Sequence, residues 1–401
     1  MNKSISVPIR MDYLDAVRAF ALLLGIVFHA SLSFVPIYIG WAVMDINTSS
    51  VVTVFMLISH SFRMSLFFFI AGFFSHMTFH KQSTSEFLKS KVVRLGIPFV
   101  IGWVMLRPLL VLGWLVGAES MRGDVDFLSS LNNWLASSMG YTHNLFTGTH
   151  LWFLYYLMLA TGVVLIARCL LDLNIRLKES LGQYADNMVS WISQSPFALI
   201  LLAVPTAACL WFMANLGIDT PDKSLFPSLP VLLIYTAFFL LGWLFHRQKN
   251  MIEKLAKLTP TKLVICLLAI VATVVLSDKS DQSNNLMFKS ALLFSYALMM
   301  WSLIVVTIGV FKQWINRPNK LVRYIADSSY WLYLIHLPVV IGLQVAFAEI
   351  ALHWSLKLLA ISTISLLASI VLYDLLVRST FIGKTLNGKR QPRVLFAKHK
   401  S

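Results

Sequence analysis

"RAFALLLGIVFHASLSF", residues 18–34, reads as a membrane-spanning helix that keeps two side chains such a helix should exclude. Apart from Arg18, His29 and two serines, every residue in it is apolar. Ionisable groups at membrane depth are costly, and where they occur they usually face the bundle interior and mark a functional path. On a helix turning about 100° per residue, Arg18 and His29 fall within about 20° of one another and roughly 16 Å apart in height. Asp15, one turn before Arg18, joins the same stripe. The helix therefore presents Asp15 and Arg18 at one mouth and His29 well up the same inward line.

The rest of the chain repeats the apolar theme. Of 401 residues, 58% are hydrophobic and 13% charged, about half the charged fraction of an ordinary soluble domain. Apolar runs long enough to cross a bilayer recur along nearly the whole length and leave no room for a soluble domain. The expected fold is all-α, one polytopic membrane domain over residues 1–401 with about ten transmembrane helices. The spans fall at about 14–37, 51–79, 95–117, 150–171, 195–215, 228–247, 261–277, 286–311, 325–350 and 355–381, bounded by charge or by Pro, Gly and Asn signals. The first apolar run is too long for a signal peptide, contains His29 and lacks a small-residue cleavage site, so it is expected to remain as an anchor. Cys169, Cys209 and Cys266 show no metal or redox spacing and are expected to be buried packing residues.

A net charge of +15 raises the possibility of a nucleic-acid partner, but the charges do not form the patch that such binding needs. With the N-terminus cytoplasmic, 25 of the 33 Lys and Arg residues fall on inner segments, and only Arg122, Lys223, Lys279 and Lys289 on outer ones. This is the positive-inside bias, and it predicts that both termini are cytoplasmic. Arg18, Arg63, Arg107 and Lys357 fall within spans; Lys357 is near enough to an end to snorkel.

Residues 80–94, "HKQSTSEFLKSKVVR", read as a basic helix along the inner headgroups. Residues 118–149, with Trp134, Tyr141 and His143, form the largest outer loop, either a carbohydrate site or a cap over the helices. In the second span, "SHSFRMSLFFFIAGFFSH" sets His60 and Arg63 on neighbouring turns, with Arg63 near the level of His29, while Gly72 permits close helix contact. The ninth span, "DSSYWLYLIHLPVV", carries His336, with Pro338 expected to bend it. In the tenth, Asp374 is a natural counter-ion for Arg18, and Arg107, before Pro108, is placed to serve carbonyls freed by a kink. Each of these has a plain structural alternative: a buried histidine can be a hydrogen-bonded packing residue, Asp15 and Asp374 can be ion-pair partners alone, and the aromatic runs at 67–69 and 152–156 are expected to be lipid-facing and core packing.

A neutral histidine beside a mid-membrane arginine suits acyl transfer. The imidazole takes a proton from a hydroxyl, and the cation stabilises the oxyanion at the attacked carbonyl. No "GxSxG" occurs, which favours direct transfer over a covalent intermediate. At the inner end, Arg18, Lys91 and Arg94 can bind the phosphates of a cytoplasmic acyl-CoA whose pantetheine arm rises towards His29.

These residues lie in blocks that resemble the membrane acyltransferase family 3. The blocks are "DAVRAFALLLGIVFHASLSF", "HSFRMSLFFFIAGFFSHMTF", "KSKVVRLGIP", "THLWFLYYLM", "DSSYWLYLIHLPVV" and "LYDLLVRSTFIGKTLNGK", in order from about residue 12 to 390. Between roughly 172 and 320 the likeness is one of hydropathy alone. Their spacing is similar to the branch that succinylates osmoregulated periplasmic glucans. The resemblance implies a bacterial inner-membrane enzyme that moves succinyl from succinyl-CoA to glucose hydroxyls of those glucans, with no metal and no bound cofactor. It also implies that Arg18 and His29 are the family's first-helix pair, Arg63 its second-helix arginine and His336 its ninth-helix histidine. The family block carries two adjacent histidines there, whereas here Leu337 follows. Acetyl transfer to O-antigen or another exported polysaccharide shares the same first motifs, and a glycan transporter or flippase is the rival from another class, although no inverted repeat is visible.

Overall fold

The computed structural model describes residues 11–120, 126–137, 147, 149–279, 285–315 and 319–395, and every regular element among them is helical. Nine of these segments are long and apolar enough to cross a membrane, or up to ten if one bent pair counts as a span. This is an all-α polytopic membrane protein. In chain order the helices are α1 (Asp12–Ser31), α2 (Ser50–Phe79) and α3 (Thr84–Lys91), the last running through a π turn at Val92–Gly96 into α4 (Ile97–Ser120). Then come α5 (Phe127–Ala136), α6 (Trp152–Asp172), α7 (Ile175–Gln194), α8 (Ala198–Leu210), α9 (Leu229–Arg247), α10 (Lys249–Leu255) and α11 (Pro260–Ser277). The chain ends with α12 (Leu286–Trp314), α13 (Lys320–Phe347), α14 (Trp354–Leu372), which tightens into a π turn at Tyr373–Val377, and α15 (Phe381–Asn387).

Local signals set these boundaries. Ser83 opens α3 with a capping box: its hydroxyl accepts from the Glu86 N–H at 3.2 Å, and the Glu86 carboxylate accepts from the Ser83 N–H at 3.0 Å. Asn285 and Asn319 cap α12 and α13 in the same sense, each accepting two backbone N–H groups. The span expected over 195–215 is shorter than its hydropathy implies. Ser195 is extended (ψ 137°), as the residue before Pro196 should be, so the chain turns by 119° between the amphipathic α7 and the 13-residue α8. Alone, α8 is about 20 Å long, too short for a bilayer core.

Packing follows the small residues. A Cβ on Gly72 would meet the Phe239 carbonyl oxygen, and one on Gly242 would meet that of Phe69, so α2 and α9 touch backbone to backbone at two reciprocal points. Close contact at Gly72 was legible in the sequence; the matching glycine on α9 was not singled out. By contrast, α4 turns Val100, Ile101 and Met105 outward and α11 turns Leu267, Leu268 and Val271 outward, the faces that hydrocarbon covers. Phe67, Phe68 and Phe69 are all core residues, and the Phe68 ring stacks on Tyr235 at 4.4 Å.

Three expectations are corrected. Lys357 does not snorkel: it is fully buried, and its Nζ donates to both carboxylate oxygens of Asp45 at 2.7 and 2.9 Å. Asp45 lies in the 35–49 connection, a partner no local pattern announces. Asp374 does not pair with Arg18. It lies 4.0 Å from Arg378, accepts from the Tyr324 hydroxyl, and accepts the backbone N–H groups of Val394 and Leu395, so it anchors the C-terminal segment. Of the cysteines only Cys266 is buried, whereas Cys169 is exposed.

Candidate active site

One cavity of about 2150 Å³ runs through the bundle. At the end where α1 starts it is lined by Arg18, Lys91 and Arg94; midway by His29, His60, Arg63, Arg107, His150 and His336, with Trp41 stacked on His29; and farther on by Trp114, Asp219 and Asp222. All six sequence-predicted catalytic and donor-binding residues therefore border a single space. Tyr141 and His143 lie outside the described residues. Trp134, in α5, donates its indole N–H to the Pro108 carbonyl at 2.8 Å, and the Arg107 guanidinium lies 4.8 Å from the Trp103 ring centre.

The basic end is built by three elements. Arg18 holds Asp15 at 3.5 Å and reaches the Ala326 carbonyl at 3.5 Å, so Asp15 is its acidic partner. Lys91, at the end of α3, donates to the Ser75 hydroxyl at 2.7 Å and lies 5.1 Å from the Phe87 ring. The Tyr330 hydroxyl donates to the Arg94 carbonyl, tying the π turn to α13.

Higher up, Arg63 meets α1 at a gap made for it. The Arg63 Nη1 stands 3.1 Å from where a Cβ on Gly25 would be, and Gly25 is one helical turn below His29. The guanidinium lies 4.4 Å from the Phe28 ring centre. Arg63 is buried, and among the described residues it has no carboxylate partner and its Nε has no hydrogen-bond partner. A buried cation without an anion is ready for a developing negative charge.

The His29 ring is held by aromatic neighbours. Trp41 stacks on it at 5.6 Å, Phe28 meets it edge-on at 5.2 Å, and the His336 ring lies 5.3 Å away. Gln344 ties this group together: its amide donates to the His29 carbonyl at 2.9 Å, while its oxygen accepts the Trp41 indole N–H at 2.9 Å. The His29 Nδ1 is enclosed by protein, which leaves Nε2 as the nitrogen available to a substrate. His336 sets its Nδ1 against the Tyr333 carbonyl at 2.7 Å and the Leu332 carbonyl at 3.1 Å, so Nδ1 carries the proton and Nε2 keeps its lone pair. His60 is tied to the Thr220 hydroxyl at 2.8 Å and stacks on Phe28, a supporting position. At the far end, burial pushes the Asp222 carboxyl above its ordinary range.

The acyltransferase domain model of the acyltransferase 3 family matches residues 11–374. The chain belongs to this family. It is therefore a membrane acyltransferase. Among curated proteins it is similar to glucans biosynthesis protein C from Escherichia coli K12, from strain O139:H28 (E24377A / ETEC) and from strain O9:H4 (HS). Each is 26% identical over 357 residues, 83% of both chains. No solved structure matches the chain at a significant level.

Four site residues escaped the sequence reading. His150 stood in view inside "THLWFLYYLM", at the first position of a span rather than at mid-membrane depth. Gly25 lay in the opening stretch, and its position four residues before His29 was the available signal. Trp41 and Gln344 join the site only through tertiary packing across 303 positions, and nothing local marks them.

Proposed function

We propose that this acyltransferase moves a succinyl group from cytoplasmic succinyl-CoA to glucose hydroxyls of osmoregulated periplasmic glucans, in the bacterial inner membrane. The observation that carries the reading is the single cavity joining a cationic end to a histidine-lined middle and an aromatic and acidic far end. The positive-inside charge bias supports a cytoplasmic position for the cationic end. There Arg18, Lys91 and Arg94 take the donor phosphates, and the pantetheine arm rises along α1. The acceptor hydroxyl enters from the far side. His29 Nε2 removes its proton as the oxygen attacks the thioester carbonyl carbon, and Arg63 stabilises the oxyanion. Collapse of the tetrahedral intermediate breaks the carbon–sulfur bond, and the departing thiolate takes the proton back from the imidazolium. His336, whose ring lies 5.3 Å from that of His29 and whose Nε2 keeps its lone pair, steadies that imidazolium. The names of the curated relatives supply the glucan acceptor.

Mass spectrometry of periplasmic glucans tests this, using a strain without its own modifying enzyme and complemented with the wild-type chain or its His29→Ala variant. Succinyl mass with the wild type alone is the expected result. Acetyl mass or unmodified glucans would refute the succinyl–glucan assignment, and a fully active His29→Ala enzyme would refute the mechanism.

A further inference from the structure

Pro338 lies inside α13 and has no N–H, so it leaves the Leu334 carbonyl, four residues earlier, without its helical donor. In a membrane helix such a carbonyl must be satisfied by a neighbour. The neighbour here is His150, whose Nε2 lies 3.0 Å from the Leu334 oxygen. A carbonyl accepts only, so this nitrogen carries the proton. The His150 carbonyl in turn accepts the Tyr333 hydroxyl at 2.7 Å. Two adjacent positions of α13 are thus fastened to one residue, on the turn whose Tyr333 carbonyl fixes the His336 ring. The His150 and His336 rings stand perpendicular at 5.7 Å.

The segment that delivers His150 is strained. Thr149 has φ +48°, the one non-glycine residue with positive φ among the described residues, and a β-branched side chain makes that conformation costly. Its N–H is held by the Asp222 backbone carbonyl at 3.0 Å. Backbone strain kept in place by hydrogen bonds at a cavity wall points to a positional requirement rather than to loose packing.

We infer that His150 is a positioning residue for acyl transfer: by supplying the donor that Pro338 withholds, it fixes the turn of α13 that presents His336 to His29. The inference rests on the proposed roles of His29 and His336. It implies that any side chain able to donate to the Leu334 carbonyl does part of the work, and that restoring the backbone N–H at position 338 lessens the need for one.

The test combines His150→Ala, His150→Gln and Pro338→Ala, singly and as the His150→Ala/Pro338→Ala pair, in detergent-purified protein. Release of CoA from succinyl-CoA in the presence of glucan is followed together with thermal unfolding. Expected are a kcat at least tenfold lower for His150→Ala, with KM for the donor within about twofold of wild type, and recovery of at least threefold in both His150→Gln and the double variant. The drop in unfolding midpoint caused by His150→Ala should be smaller in the Pro338→Ala background. Wild-type kcat in His150→Ala, or equal midpoint losses in the two backgrounds, would overturn the inference. A wild-type chain that releases no CoA would instead count against the acyl-transfer reading, and the midpoint comparison still decides the coupling of His150 to Pro338.

Discussion

Replacing Lys357 with methionine isolates one buried charge. The substitution keeps the length and shape of the side chain and removes the ammonium group. Lys357 and Asp45 have side-chain exposures of 0% and 2% and share two hydrogen bonds, with a third from Nζ to the Ala348 carbonyl at 3.4 Å. In Lys357→Met the Asp45 carboxylate would keep only its bond from the Asn47 N–H at 2.8 Å. Breaking a buried pair from one side costs about 3–5 kcal/mol, because the remaining charge is left uncompensated. This corresponds to roughly two to four decades in the folding equilibrium. Adding Asp45→Asn removes the stranded charge, so the double variant should regain much of the loss. Tryptophan fluorescence during thermal unfolding in detergent reads the effect. The same pair holds the 35–49 connection, whose Trp41 stacks on His29, so kcat should fall even below the unfolding transition. A Lys357→Met protein within about 0.5 kcal/mol of wild type would refute the reasoning, since that is the size of an exposed ion pair.

Three shorter tests follow from the same geometry. Gly25→Ala sets a methyl 3.1 Å from Arg63 Nη1 and must displace the guanidinium by a few tenths of an ångström; kcat should fall about tenfold with little change in donor KM, as steady-state kinetics would register. Arg94→Ala, at the cationic end of the cavity, should raise the KM for acyl-CoA several-fold and leave kcat nearly unchanged. On α7, the hydrogen bond from Arg247 holds the Asp186 carboxyl below its ordinary range, so the pair contributes stability at neutral pH that is lost as pH falls below about 4; the unfolding midpoint of wild type should decline through that window more steeply than that of Asp186→Asn.

Long apolar runs and the Arg18–His29 stripe were legible because they depend on one helix at a time. A helical period carries two side chains 11 residues apart to the same face whatever surrounds them. Arg63 was legible for a similar reason, since a cation inside an apolar run is costly wherever it points. The pair Lys357–Asp45 was not, because snorkelling and burial look the same until a partner 312 positions away is known. Asp374 misled in the opposite way: its charge called for a cation, and the fold gave it Arg378 and two backbone N–H groups instead. The 195–215 run was apolar enough for a span, but Pro196 divides it from α7 and hydropathy does not measure a bend.

A cavity lined from one end of a membrane protein to the other also bears on energy conservation. Water filling such a passage would give protons a route between compartments, and a cell that stores work as a proton gradient cannot leave that route open. Arg63, a fixed cation within the cavity and without an acidic partner among the described residues, opposes the entry of hydronium and metal cations by charge alone. On the proposed mechanism, the group that answers the negative charge of an acyl-transfer intermediate thus also serves as electrical insulation while the enzyme waits for substrate.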